Sequence, residues 1–383
     1  MPATNLTGKP QLNRQVNRTL ILDRIRLNGE ISRAELAKVT QIRPPTVTAI
    51  VRELLAEGFL DEIGMGETHG GRAPRMLALS CKLPQAMGFE LTENGLLAGL
   101  SDLKGNLRVR RRLSYSAESP ERTIARLSAI AEEMFATLRS TTGGEYGWTH
   151  LRGVGIALPG LIDVAQGVVS WSHPLRWRDV PLRALCEERW GVRTDVVNDS
   201  ASGSMAAHFF GTQGVRNLVY IVLRFADASH GVVGVGTGLI IHGEPYHGEF
   251  GAAGEITTPV AHPLVDARDD QGQPFADTAQ LVAALQAGQT SAVAAMDRVA
   301  KDLSLLVLHA INLLEPGRLI IESDIPELGE AYRIRLDRVL GEHVLRPDRG
   351  RTEVMLSNLG EFGGVRGAVV PALRRFFKLP SWT

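Results

Sequence analysis

The chain has 383 residues, 44% of them hydrophobic and 22% charged, which is enough for two or three domains with cores of their own. Lys plus Arg equals Asp plus Glu at 42 each, so total charge argues neither for nor against nucleic acid, although residues 1–80 hold 11 basic against 8 acidic side chains, a net of +3. Two cysteines, Cys81 and Cys186, exclude a disulfide framework and a four-thiolate metal site. No apolar run approaches the ~20 residues of a membrane span. The polar first fifteen residues lack a signal-peptide core, so a cytoplasmic protein with no membrane partner is expected.

Residues 1–11 read as a polar leader. A helix is predicted from about Asn13 to Leu27, with Val16, Leu20 and Leu27 on one stripe, Ile21 and Ile25 beside it, and Asn28-Gly29 as its stop. Ser32 followed by Glu35 is a capping box for a short second helix, and Ile31 can staple against Leu36. Thr40 to Arg43 reads as a turn. A third helix starts at Pro45, buries Val47, Ile50, Val51, Leu54 and Leu55 at three-four spacing, and stops at Gly58. Its other face shows Thr46, Thr48, Ala49 and Arg52, the short and basic side chains that a helix in the major groove needs. Two strands, Phe59 to Ile63 and Arg75 to Leu79, flank the loop GMGETHGGRAP, which carries Arg72. Such a hairpin can place arginine in the minor groove or on phosphate.

This order of elements resembles a winged helix-turn-helix over residues 12–80. The resemblance implies a double-stranded DNA partner, with Arg43, Thr46, Thr48, Arg52, Arg72 and Arg75 as candidate contacts. The alternative is a small helical interaction module whose Thr46, Thr48 and Arg52 merely face solvent.

From about Pro84 strands alternate with helices. Strands are predicted over 87–91, 96–101, 107–115 and 153–158, helices over 120–140 and 182–190, then a strand at 195–198 running into a helix that ends near Phe210. A second block follows: strands at 217–224 and 231–241, a mostly helical stretch from Thr278 to Leu314, a strand at 318–321, another helix, a strand at 352–356 and a last helix from Gly364 to Phe377. Periodicity alone supports an α/β class.

One stretch stands apart, GVVGVGTGLIIHGEPYHGEFGAAGE, residues 231–255. Gly234, Gly236 and Gly238 alternate along an apolar run, clearing one face of side chains so that backbone N–H groups can meet an anion. Gly243, Gly248, Gly251 and Gly254 then space a loop that ends on Glu255. This pattern resembles the signature of the ROK family (repressors, open reading frames and sugar kinases), and the likeness runs from about Leu12 to the C-terminus. It implies an α/β fold: an N-terminal winged helix-turn-helix plus a two-lobed, actin-like (ribonuclease H-like) sugar-kinase-type domain at 84–383. In that reading 84–198 is the first lobe and 199–383 the second, with the final helix packing back on the first.

The family resemblance also implies a sugar site. GIALPG ending in Gly160, VVNDS giving Asn198 and Asp199, and AGE giving Glu255 match the family's sugar-binding segments. Carboxylates and an amide at strand ends suit sugar hydroxyls. Asp199 would be the general base if the protein were a kinase. Asn198-Asp199 can equally be a helix N-cap, and Glu255 a solvated loop carboxylate. Two departures point away from catalysis. The family's D-x-G-G-T phosphate hairpin reads Glu90-Leu91-Thr92-Glu93-Asn94, and a like-charge contact at ~4 Å costs about 4 kcal/mol. The glycine-rich turn on the adenine side reads Glu322-Ser323-Asp324. The family's zinc motif is missing too: Ile256-Thr257-Thr258 follows Glu255, no cysteine is near, and Asp266, Asp269, Asp270 and Asp277 read as a solvated acidic loop. The expectation is a DNA-binding repressor, dimeric or larger, that senses a sugar or sugar phosphate without zinc or ATP; the alternative is an ATP-dependent sugar kinase.

Overall fold

The computed structural model describes residues 10–66, 73–92, 95–211, 214–226, 228–255, 259–343 and 352–377. Arg72, Glu93, Asn94 and Ile256–Thr258, singled out above, lie outside them. The chain divides into two compact units: Met1–Ile156 with Leu182–Asp195 and Ala368–Thr383, and Ala157–Pro181 with Val196–Gly367.

The first unit begins with a winged helix: α1 (Pro10–Asn28), β1 (Ile31–Ser32), α2 (Arg33–Thr40), α3 (Pro44–Ala56), β2 (Leu60–Met65) and β3 (Arg75–Leu79). The α1 stripe differs from the sequence expectation. Ile21, Leu22 and Ile25 are the buried positions, while Val16, Leu20 and Leu27 remain partly exposed. A helix of this small domain meets its neighbours along one narrow seam, and the apolar residues outnumber the seam positions. The capping box of α2 is complete: the Glu35 amide donates to Ser32 Oγ and the Ser32 amide donates to Glu35 Oε2 at 2.9 Å. Two prolines open α3, Val47, Ile50, Val51 and Leu54 are buried, and Gly58 at φ +76° ends it, with the Phe59 amide bonded back to Leu54 O. β3 lies between β1 and β2, and the β2–β3 ladder slips between Glu62 and Gly64.

The body of the unit adds an antiparallel run, β4 (Ala86–Leu91), β5 (Gly95–Ser101) and β6 (Leu107–Ser114), then α4 (Pro120–Thr142) and β7 (Gly153–Leu158). Ser119 caps α4, and Ile124, Leu127, Met134, Phe135 and Leu138 are its buried face. In chain order there follow β8 (Leu161–Asp163), β9 (Val168–Ser172), β10 (Trp177–Val180), α5 (Leu182–Trp190), β11 (Thr194–Asn198) and α6 (Asp199–Ala206). The five-stranded sheet has the order β11-β7-β4-β5-β6, and the Trp148 and Trp190 rings stack 5.0 Å apart. β8, β9 and β10 form a small antiparallel sheet of the second unit that the sequence patterns did not announce; each strand is only three to five residues long.

The rest of the second unit is β12 (Leu218–Arg224), β13 (Val232–Ile241), β14 (Glu244–Tyr246), β15 (Val260–Ala261), α7 (Pro263–Asp266), α8 (Thr278–Gln286), α9 (Thr290–Leu314), β16 (Arg318–Ser323), α10 (Pro326–His343) and β17 (Glu353–Leu356), with α11 (Gly363–Phe377) closing the series. The predicted helical stretch from Thr278 is two helices, divided at Gly288, φ +72°. The sheet runs β14-β13-β12-β16-β17, with β15 against β13; β12–β16 and β16–β17 are parallel. Val219, Ile221, Leu303, Ile321 and Tyr332 are central to its core. α11 supplies residues to both units and is seated backbone against backbone. A Cβ on Gly367 would stand 1.8 Å from Ser202 O, and one on Gly155 would stand 1.7 Å from Ala368 O.

Candidate functional site

On the winged helix, Arg43, Thr48, Ala49 and Arg52 are exposed and Thr46 is half-buried, so the N-terminal part of α3 offers solvent a surface of small and basic side chains. Thr48 Oγ1 donates to Pro44 O at 3.0 Å. Among the described residues neither Arg43 nor Arg52 has a carboxylate within ion-pair distance. Arg75 differs. Its guanidinium donates to Glu62 Oε2 at 2.5 Å, while Arg33 donates to Glu62 Oε1 at 2.7 Å. These two hydrogen bonds, Arg33's first, hold the Glu62 carboxyl below the usual carboxylate range. Glu62 thus ties the root of the wing to the start of α2. The sequence reading missed it, because nothing along the chain marks a lone acid as a bridge between two arginines 29 and 13 residues away.

In the second unit, three of the predicted sugar residues meet where β11 ends. Asn198 is the N-cap of α6: its Oδ1 accepts from the amides of Ser200 and Ala201 at 2.9 and 3.1 Å, and its Nδ2 donates to Gly160 O at 3.1 Å. Asn198 is thus the helix cap that the sequence left open as an alternative, and the same side chain holds the Pro159-Gly160 turn. Gly160 has φ +135°, and a Cβ there would sit 2.4 Å from Trp171 O, so the Pro159-Gly160 turn presses against β9. The Ser172 hydroxyl fixes the same turn by donating to Pro159 O at 2.6 Å.

Asp199 opens α6. Burial lifts its carboxyl above the ordinary range; the Arg224 guanidinium pulls it back and the Glu322 carboxylate pushes it up. Glu255 is raised as well, by burial first and by the Asp199 charge second. A carboxyl pair that sense one another, an amide and a nearby guanidinium form a set of donors and acceptors suited to a polyhydroxylated ligand. Arg224 was not picked out from the sequence, nor was His247 in the neighbouring loop, whose imidazole is pushed below its ordinary range by burial. Arg224 ends an apolar strand and His247 sits in a loop, and neither belongs to a spaced motif.

The glycines of β13 work differently from the sequence expectation. A Cβ on Gly238 would stand 2.3 Å from Ser200 O, and one on Gly236 would stand 2.1 Å from Ser200 Oγ. The cleared face is filled by α6, and the glycines bring the helix that starts at Asp199 down onto the sheet. A Cβ on Gly234 would meet Arg224, its side chain at 3.1 Å and its backbone oxygen at 3.9 Å. At the end of the loop, Thr237 Oγ1 donates to Gly254 O, and Gly254 has φ +91°. The acidic end of β16 and Asp324 just beyond it are equally committed. Glu322 accepts from Tyr220 Oη at 2.5 Å and pairs with Arg224 at 3.3 Å, while Asp324 accepts from the amides of Phe225 and Ala226.

Among the described residues no three His, Cys, Asp or Glu side chains cluster for a metal ion. Cys186 is buried, with its thiol pushed up by burial. Asp269 and Asp277 spend their carboxylates on backbone amides.

Residues 88–266 match the ROK family and residues 16–62 the MarR family, so the chain carries a ROK family domain with a MarR-type winged helix in front of it. It is 23% identical over 415 residues to the xylose repressor of Caldicellulosiruptor bescii, covering 98% of this chain and 100% of that one. In fold it resembles a ROK family transcriptional regulator described as a homolog of the E. coli MLC protein, with TM-score 0.76, 20% identity, and 95% and 98% of the two chains covered. It also resembles the ROK hexokinase of Thermus thermophilus, with TM-score 0.58, 21% identity, and 76% and 98% covered. No helix among the described residues is long and apolar enough to cross a membrane.

Proposed function

We propose that the protein is a cytoplasmic transcriptional repressor that binds double-stranded operator DNA as a homodimer and responds to a sugar or sugar phosphate without phosphorylating it. The observation that carries this reading is the N-terminal part of α3, where exposed Arg43 and Arg52 meet no carboxylate among the described residues, on a chain whose body has the ROK fold. Thr46 and Thr48 meet base edges in the major groove, Arg43 and Arg52 meet phosphate, and Arg72 and Arg75 add contacts to the DNA backbone. In the second unit Gly160, Asn198, Asp199 and Glu255 hold the ligand's hydroxyls. Its binding shifts operator affinity only through unequal affinity for two arrangements of the protein. The relative's name, xylose repressor, makes a pentose the first ligand to try. Glu322 and Asp324 support a reading without nucleotide chemistry, since both carboxylates are bonded into the fold beside β12.

Selection of bound DNA from a random pool, repeated with xylose and with other sugars present, tests this function. The expected result is one enriched two-fold sequence whose recovery changes with one of the sugars. A pool without enrichment refutes DNA binding, and enrichment indifferent to every sugar refutes the sensor. One observation favours a sugar kinase instead: Asp199 holds its proton more tightly than an ordinary carboxyl, as a general base does. Sugar-dependent ATP turnover that disappears in Asp199→Asn would establish that reading.

A further inference from the structure

Within the first unit a hollow of about 250 Å³ opens where the winged helix meets the C-terminal half of α11. Arg18, Glu57 and Phe59 line it from the winged helix, and Arg152, Arg375 and Phe376 from the body. The Phe59 and Phe376 rings lie 5.3 Å apart. The guanidiniums of Arg18 and Arg152 stand over Phe59, 5.4 and 5.7 Å from its centroid.

The charges do not balance. Arg18 is paired with Glu57, and Arg375 Nη1 donates to Asp195 Oδ2 at 2.7 Å. Arg152 has no carboxylate within ion-pair distance among the described residues. Three guanidiniums against two carboxylates leave one positive charge over. Arg375 Nη2 is buried with no hydrogen-bond acceptor. It stands 2.5 Å from where a Cβ on Gly153 would be, in room that a side chain at that position would take. A buried charged donor without an acceptor is costly, and native structures rarely leave one so.

We infer that this hollow is a binding site for a small oxyanion, the phosphate or carboxylate of a compact metabolite, separate from the sugar site and built into the joint of the DNA-binding domain. Its volume lies below the range of drug-sized ligand pockets, which suits an anion with a short apolar stem against Phe59 and Phe376. The oxyanion accepts from Arg152, the guanidinium left without a carboxylate, beside Arg18 and over Phe59. By holding Arg152 of the body next to Arg18 of the winged helix it steadies the joint between them, so that its binding and operator binding are thermodynamically linked.

Calorimetry on the full chain with inorganic phosphate, acetate, benzoate and a sugar phosphate tests the site and tells its two anion sources apart. Saturable binding of at least one is expected, weakened tenfold or more in Arg152→Ala or Arg152→Gln and retained in Arg338→Ala, an exposed arginine of α10. Asp199→Asn should leave it intact, which separates this site from the sugar reading. No saturable binding by any probe, with water alone as the acceptor, overturns the assignment. So does binding equally strong in Arg152→Ala, or binding lost in an Arg43→Ala/Arg52→Ala double variant, which would move it to the operator face.

Discussion

Asn198 is the residue on which most of the candidate sugar site rests, because one side chain starts α6 and holds the Gly160 carbonyl. Asn198→Ala should lower unfolding free energy in urea by about 1–2 kcal/mol, the usual worth of a lost cap, and should also weaken the sugar response. Asn198→Asp, which keeps the acceptor and loses the amide donor, should recover most of the stability but not the response. Asp199 makes a pH-dependent contribution of defined sign. Its folded-state proton affinity is raised, so the folded protein binds protons that the unfolded chain has released. Stability from this carboxyl is greatest below the unfolded value near ~3.9 and falls as pH rises towards neutrality. Asp199→Asn removes that slope, so the stability difference between variant and wild type should move in the variant's favour between pH 3 and pH 7. Paired urea melts at the two pH values measure it.

At the scale of elements, the β13 glycines show what a sequence conveys and what it withholds. Alternation at 234, 236 and 238 announces a cleared strand face, and the strand is there. What fills the face is a contact with α6, which lies well upstream in the chain, and no local pattern encodes the occupant. Gly238→Ala should cost about 1–3 kcal/mol, since its methyl meets the backbone oxygen of Ser200. Gly236→Ala should cost less, because the Ser200 hydroxyl can turn. Gly234→Ala should stay within about 0.5 kcal/mol. Thermal melts of the three variants rank them, and equal losses would return these glycines to a ligand-facing role. The winged helix was legible almost element by element, because caps, prolines and glycines are local signals: Ser32 with Glu35, Pro45 and Gly58 each act where they stand in the chain. β8, β9 and β10 were not legible, being too short to show a period. The set around Asp199 was half legible: Asn198 and Glu255 sit in spaced motifs, whereas Arg224, Tyr220 and Glu322 come together only by folding.

For the whole molecule, the proposed operator contacts make a salt-dependent claim. Arg43→Ala and Arg52→Ala should each weaken operator binding by a similar factor at every sequence and reduce the salt slope of the affinity by about one. Fluorescence titrations at several salt concentrations read this directly, and unchanged slopes in both variants would remove α3 from the interface. Arg75→Ala should do less to binding and more to the hairpin, because its guanidinium is already engaged by Glu62. The seating of α11 has a consequence for how such a protein can be diversified. Ala368 and Ser202 meet Gly155 and Gly367 main chain to main chain, so no repacking of neighbouring side chains makes room for a methyl at either place. Libraries built to change the recognised sugar must spare Gly251 and Gly254, where a Cβ would also strike main-chain oxygen, and positions 155 and 367 should return glycine in every surviving clone.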